Sequence, residues 1–326
     1  MAPIHAKSPC CNALVRRFGK RRRQCTHCKR TWSIRQKKRG RPRTRHGEPL
    51  LRRILVDGHT LSQEARHFDI KTVSIAARFK VALRAFVSSP SPTPPRGPYV
   101  LVVDGVYFKF GGKEWVLYLM AVKPIRSRRM YFLDPVLKQG REKIEVWDQA
   151  IDTIPEHVRQ QIRGLVSDGL RGFQSLAARH GWVHQRCHFH LLACLVRGKN
   201  KRRYRTQGSA VRDHVLEAVR ILLADEPEPE RDRARDMLRE HVTDPACPAY
   251  VRRHISEFLQ REQDFRAYIN HPRLDLPTTT GAMESTGRLV RKATRTARTP
   301  ESLKLRAVAF LRLKRSITCN GRYTQN

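Results

Sequence analysis

The chain reads as a mixed α/β protein, a sheet with flanking helices that carries an all-helical insertion and is preceded by two small N-terminal modules. Three observations predict this. Apolar stretches at 99–110, 115–122, 129–137, 165–168 and 182–185 have strand length. Residues 142–154, 170–179 and 209–270 repeat apolar residues at helical spacing, with Val211, Val215, Ala218, Val219 and Leu222 as the longest stripe. Four of the eight cysteines fall within the first 28 residues, a clustering that suits a metal in a reducing compartment better than a disulfide framework.

The totals bound the rest. A chain of 326 residues has room for two or three domains and one sizeable core. Lys and Arg number 66 against 29 acids, a net charge of +37. Such an excess asks for a polyanionic partner, nucleic acid first. A basic membrane-surface protein is the alternative, but no apolar run approaches the ~18 residues of a span. The N-terminus also lacks the apolar segment of a signal peptide.

Up to Gly47 there are 16 Lys/Arg and no acid. Within this segment Cys25-Thr-His-Cys28 has the two-residue spacing that lets both thiolates reach one tetrahedral Zn²⁺. Its counterpart, Ser8-Pro9-Cys10-Cys11, carries Ser where a leading cysteine is expected. Cys11, Cys25 and Cys28 are therefore three candidate ligands, and the fourth is open among Cys10, His5 and His27. Next comes Lys37-Lys-Arg-Gly-Arg-Pro-Arg43, which is similar to an AT-hook. An extended arm of this kind can insert Arg39, Arg41 and Arg43 into the negative potential of a narrow minor groove. A solvated basic linker is the plain alternative.

Residues 48–87 read as three helices. The first is 49–57, stopped by Gly58. The second is 61–68, with Thr60 and Gln63 in capping-box positions. The third is 72–86. This resembles a helix-turn-helix whose last helix enters the major groove with Lys71, Ser74, Ile75 and Arg78 outward. The Pro/Ser-rich stretch 88–98 reads as a stiff linker and the clearest domain boundary.

Beyond it the expected order is three antiparallel strands, a helix, a strand, a helix and a strand, which is the order of an RNase H-like fold with a mixed five-stranded sheet. Two strands end on a carboxylate followed by glycine, at Asp104-Gly105 and Asp168-Gly169. A strand end holds an acid rigidly, and the glycine leaves room beside it. The segments Val102-Val-Asp-Gly-Val-Tyr-Phe-Lys109, Ser167-Asp-Gly-Leu-Arg-Gly172, Gln185-Arg-Cys-His-Phe-His190 and Thr279-Thr-Gly-Ala-Met-Glu-Ser285 follow one another in that order. Together they resemble the Mutator-like DDE transposases of bacterial insertion sequences, over about residues 99–315. The zinc ribbon at 1–36 and the helix-turn-helix fit such enzymes too.

That resemblance implies an RNase H-like core, split into 99–200 and 276–326 by a helical insertion at 201–275. It also implies catalytic, metal-binding Asp104, Asp168 and Glu284. Phosphodiester transfer uses two Mg²⁺ or Mn²⁺ ions about 3.5–4 Å apart, and such hard ions need few carboxylates besides substrate phosphate. Cys187 and His190 match the family's Cys-x-x-His element, expected near the acids, although with His184 and His188 they could instead form a second zinc site. Arg288, Arg291, Lys292 and Arg295 share a helix face beside Glu284 and would meet DNA phosphates. Thr280 is expected to cap that helix, and Glu262 or Asp264 would be the next choice for the third acid. A final amphipathic helix is expected from Pro300 to about Arg315.

The expected partners are double-stranded DNA, as element-end inverted repeats and target, and further copies of the chain in a homodimer or larger assembly. The expected location is the bacterial cytoplasm, at the nucleoid. A catalytically inert DNA-binding regulator and an RNase H-like nuclease without strand transfer are the alternative functions.

Overall fold

The computed structural model describes residues 7–19, 22–33, 47–196 and 209–319. The chain forms two compact units, Met1–Gly47 and Glu48–Asn326. In the first, strands β1 (Val15–Arg17), β2 (Arg22–Cys25) and β3 (Thr31–Ser33) make an antiparallel sheet in that order. Arg39, Arg41 and Arg43 of the AT-hook-like arm, and His5, lie outside the described residues.

The second unit opens with helices α1 (Gly47–Leu55), α2 (Leu61–His67) and α3 (Thr72–Ser88). The capping box forms as expected, with Gln63 N–H donating to Thr60 Oγ1 at 3.2 Å and Thr60 N–H to Gln63 Oε1 at 2.7 Å. Glu64 is buried, and Arg53 Nε and His59 Nδ1 each sit 2.8 Å from its carboxylate, which ties α1 to α2. On α3, Lys71, Ser74 and Arg78 are exposed. Ile75 is not outward but buried, because it shares the four-residue row of Phe79 and Leu83 that faces the core.

The expected boundary at 88–98 does not separate compact units. Leu50, Leu51, Phe79 and Leu83 before it share one hydrophobic cluster with Val290, Leu303 and Phe310 near the C-terminus. Arg312 fastens the stretch from below, donating to the carbonyls of Phe86, Val87 and Ser89 and pairing with Asp134.

The sheet has seven strands rather than five. They are β4 (Tyr99–Phe110), β5 (Lys113–Pro124), β6 (Arg129–Phe132), β7 (Val136–Gln139), β8 (Ile162–Ser167), β9 (Val183–Arg186) and β10 (Ser316–Thr318). The order is β10-β6-β5-β4-β8-β9, with β7 also on β5. The expected third strand is broken at Leu133-Asp134-Pro135, where proline has no N–H for the ladder. Its first half is not an edge, since β10 covers it. β8 runs parallel to β4 and β9 parallel to β8, and the other pairs are antiparallel. Gly111 and Gly112, both at positive φ, close the β4–β5 hairpin.

Side-chain alternation along β4 divides the core. Tyr99, Leu101 and Val103 pack with Trp147 and Ile151 of α4 (Ile144–Asp152), Val158 of α5 (Glu156–Arg159), and Phe173 and Leu176 of α6 (Phe173–Arg179). Val100, Val102 and Val106 pack on the opposite face with α13 (Gly281–Thr294) and α14 (Pro300–Lys314). α14 is buried on most sides, from Leu303 through Ala307, Val308, Ala309 and Phe310 to Leu313, and so is not the amphipathic helix expected. Its neighbours are α3, α13 and β7.

The insertion comprises α7 (His188–Val196), α8 (Ser209–Leu223), α9 (Glu228–Thr243), α10 (Ala249–Gln260), α11 (Glu262–Phe265) and α12 (Ala267–Asn270). It has its own core, which includes Val215, Val219 and Leu222 of the expected stripe together with Leu238, Ile255, Phe258 and Phe265. Among the described residues no helix is long and apolar enough to cross a membrane.

Candidate functional site

Two groups of titratable side chains stand out, one in each unit. In the first unit β2 ends at Cys25, and the turn through Thr26 and His27 brings Cys28 back. The sulfurs of Cys10, Cys11, Cys25 and Cys28 all lie within 4.8 Å of one another. Four thiols so placed can hold a metal such as zinc. Cys10 therefore fills the open fourth position, with its sulfur 3.3 Å from that of Cys28. Ser8, which stands in the place of the missing cysteine, is buried and donates its hydroxyl to Cys25 Sγ at 3.2 Å. That bond, with the backbone N–H groups of Cys28 and His27, holds the Cys25 thiol down to about 6. Metal binding requires the thiolate.

The second group sits at the middle of β4 and the end of β8. Asp104 is not at the strand end expected but within β4, opposite Leu119 of β5, whereas Asp168 does follow the last residue of β8. Val102 is opposite Val166 in the parallel pair. Asp104 lies two residues beyond that pair within β4, on the face of Val102, and Asp168 follows the end of β8, near enough to raise the Asp104 carboxyl. That face is covered by α13, whose first turn carries Glu284. The approach is close because of Gly287: a Cβ there would lie 2.8 Å from Val106 Cγ2. A glycine that looks out of place in a helix is what lets α13 seat on β4. Glu284 is half-buried and accepts from Arg288 Nη2 at 2.9 Å. Arg288, Arg291, Lys292 and Arg295 are all exposed along the same helix.

Burial pushes the carboxyl of Asp104 up to about 7, and Asp168, Glu142 and Glu284 push it the same way while His190 opposes them. His190 is raised to about 9, first by its hydrogen bond with Cys187 and then by Asp168 and Asp104. It is therefore an imidazolium near neutral pH, held against two acids. Cys187 is buried and accepts from both the N–H and the hydroxyl of Thr280, at 3.2 and 3.3 Å. Thr280 thus occupies the N-cap position of α13 without capping it. Its side chain instead ties the start of the Glu284 helix to Cys187 and, at 3.5 Å, to His190.

Sequence reasoning missed Glu142. It lies just before α4, among the helices on the opposite face of the sheet. It reaches the site because Gly105 has no side chain: the Glu142 carboxylate oxygens lie 2.8 Å from where a Cβ of residue 105 would stand. Tyr107 Oη and Trp147 Nε1 each donate to it at 2.7 Å. Burial and Asp168 raise its pKa. The signal available was Gly105 itself, since a glycine inside a twelve-residue strand marks a close approach.

The reserve acids are engaged elsewhere. Arg235 grips buried Glu262 through two bonds of 2.8 and 2.9 Å, and Gln174 donates to Asp264 beside His184. The second zinc site does not form. His184 shares a 2.9 Å hydrogen bond with Ser167, and His188 binds the Phe265 carbonyl at 2.8 Å. Among the described residues the four cysteines alone bring three or more such ligand atoms within 4.8 Å of one another. No protein-family model matches the sequence, and no curated protein matches it.

Proposed function

We propose that the chain is a DDE-type DNA transposase with an RNase H-like core. On this reading residues 1–87 grip the element ends and Asp104, Asp168 and Glu284 form the catalytic centre. The observation that carries the reading is the meeting of these acids. Two come from adjacent parallel strands, one within β4 and one just past the end of β8, and the third, more than a hundred residues on, is close enough to perturb the first. The net charge of +37 supports a DNA substrate.

The donor set fits Mg²⁺ or Mn²⁺ ions. Hard carboxylates gather around buried Asp104, whose carboxyl is raised by its burial and by the neighbouring acids. When bound, the ions supply activation of the attacking oxygen and stabilisation of the leaving one. The rest falls to side chains of this chain. Asp104 feels the charge of both other acids. His190, positively charged, holds Asp104 and Asp168 in place. Arg288, Arg291, Lys292 and Arg295 offer a row of cations to the DNA backbone. Lys71, Ser74 and Arg78 are the residues of α3 that would face the major groove, and the cysteine tetrad with its zinc stiffens the first unit.

The test uses labelled DNA from the sequence flanking the gene, a plasmid target, and Mg²⁺ or Mn²⁺, with Asp104→Asn alongside. Joined products that vanish in the variant support a transposase. Binding without cleavage replaces it with an inert regulator, and cleavage without joining with a nuclease. A homodimer or larger assembly is expected on the DNA, because two ends must be held together.

A further inference from the structure

A cavity of about 240 Å³ lies between the turn that joins α1 to α2 and the later turns of α13 and α14. Its charged lining is basic throughout: Lys292, Arg295, Arg306 and Lys314, beside His59 of the turn. The cavities that border Asp168 and Asp134 each have a carboxylate in the wall, and this one has none. Ile54, Leu55 and Phe310 supply a buried apolar floor, which lowers the local dielectric in which the cations act.

Three of the four cations are open to a ligand. Lys292, Arg295 and Lys314 are exposed. Lys292 Cε stands 4.0 Å from where a Cβ of Gly58 would be, which sets it against the α1–α2 turn. Arg306 is the unusual member. It is only 9% exposed, and its guanidinium lies over the Phe79 ring, 4.8 Å from the centroid. Nε is buried with no acceptor. The two Nη nitrogens also lack a protein partner, but they are not sealed and reach the cavity. Among the described residues no carboxylate pairs with any of the four cations. Burial depresses the Arg306 pKa, and no neighbouring acid raises it back. A guanidinium kept this far from water without a counter-ion is costly. An oxyanion in the cavity removes that cost through charge-assisted N–H···O bonds to the Nη pair. The volume suits one phosphate group, since it falls below the about 300–1,000 Å³ of pockets that enclose whole drug-sized ligands.

We propose that this cavity binds one phosphate group of the DNA backbone. The Arg306 Nη pair and Lys314 hold the group from α14, and Lys292 and Arg295 hold it from the α13 side. His59 brings in the turn of the helix-turn-helix, so a phosphate seated there touches the DNA-reading helices and the helix of Glu284 at once. The proposal rests on the transposase reading for the source of the phosphate.

The test is lysine acetylation of the full chain, mapped by mass spectrometry, in the presence of a short DNA duplex, of inorganic phosphate, or of chloride at the same ionic strength. The duplex should slow modification of Lys292 and Lys314 several-fold. Lys304, exposed on α14 outside the cavity, should react as in chloride. Lys314 is the deciding residue, because it is not one of the row of cations on α13. In duplex binding, Lys314→Gln should reduce the slope of log affinity against log salt by about 0.9, the loss of one phosphate contact, and Lys304→Gln should leave it unchanged. Arg306→Met should abolish the protection of Lys314, and Arg306→Lys should restore part of it. Lys314→Gln, at an exposed position, carries the test if Arg306→Met does not fold. Equal modification of Lys314 and Lys304 under both anions, or an unchanged slope in Lys314→Gln, would overturn the proposal. Protection by inorganic phosphate and none by the duplex overturns the DNA source and leaves a site for a free oxyanion. Protection by the duplex without strand cleavage in Mg²⁺ or Mn²⁺ keeps the site and removes the transposase reading. Cleavage with Lys314 unprotected does the reverse.

Discussion

The cysteine tetrad and the carboxylate cluster solve the same problem, gathering charged ligands, in opposite ways. The tetrad draws its four sulfurs from 19 consecutive residues, Cys10 to Cys28, and closes them on one another. The cluster draws Asp104, Glu142, Asp168, His190 and Glu284 from five separate elements or their ends, with Asp104 buried and Asp168 and Glu284 half-buried. A closed set of soft ligands stabilises a segment too short to bury a core. The crowded acids are held instead by a large core that tolerates the strain of like charges.

The sharpest way to break this contrast is to remove one acid and one thiol and compare. Asp104→Asn should lower strand cleavage at least about 10³-fold, roughly 4 kcal/mol of barrier, while a zinc assay on the same protein still finds one equivalent. Cys28→Ser should do the converse: zinc is lost, limited proteolysis opens residues 7–33, and the thermal transition of the second unit stays in place.

A third measurement concerns the cost of crowding. Asp104 holds its proton up to about 7 in the folded chain, well above the ordinary carboxyl range. The folded state therefore binds the extra proton between those limits, and the metal-free protein loses stability as pH rises through 7. Asp104→Asn should remove that slope and raise the stability at pH 8 by roughly 2 kcal/mol, seen as a higher Tm at pH 8 and little change at pH 4. An unchanged slope would mean that the acids are better compensated than their surroundings indicate.

Smaller effects probe the seating of α13 and the caps. Gly287→Ala pushes a methyl against Val106 Cγ2, so an overpacking cost of about 1–3 kcal/mol is expected in denaturant unfolding, with cleavage lowered through the displaced Glu284. Thr60→Ala removes the capping box of α2 and should cost about 1 kcal/mol, without touching either metal group.

Much of the fold was legible. The limits of β4 and the Thr60 cap follow directly from local pattern, because strand periodicity and turn chemistry act over a few residues. Pro135 was read as marking an edge and instead splits a strand. Ile75 was read as outward because spacing gives a helix its faces but not which one the core takes. The burial of α14 was invisible, since a helix with Arg306, Arg312 and Lys314 reads as one-sided until α3 and β7 are packed on it.

By itself the sequence determined the pieces: a strand followed by an acid at Asp168, a cysteine pair at knuckle spacing, a capped helix-turn-helix, a basic charge that asks for a polyanion. Only the tertiary structure decided which pieces meet. Glu142 joins the acids through the gap at Gly105, Cys10 completes the tetrad, and Arg186, paired with Glu257, fits beside Gly169 for want of a side chain there. Local pattern reports the forces between residues near in sequence, whereas these contacts depend on two small glycine gaps and on the register between distant strands.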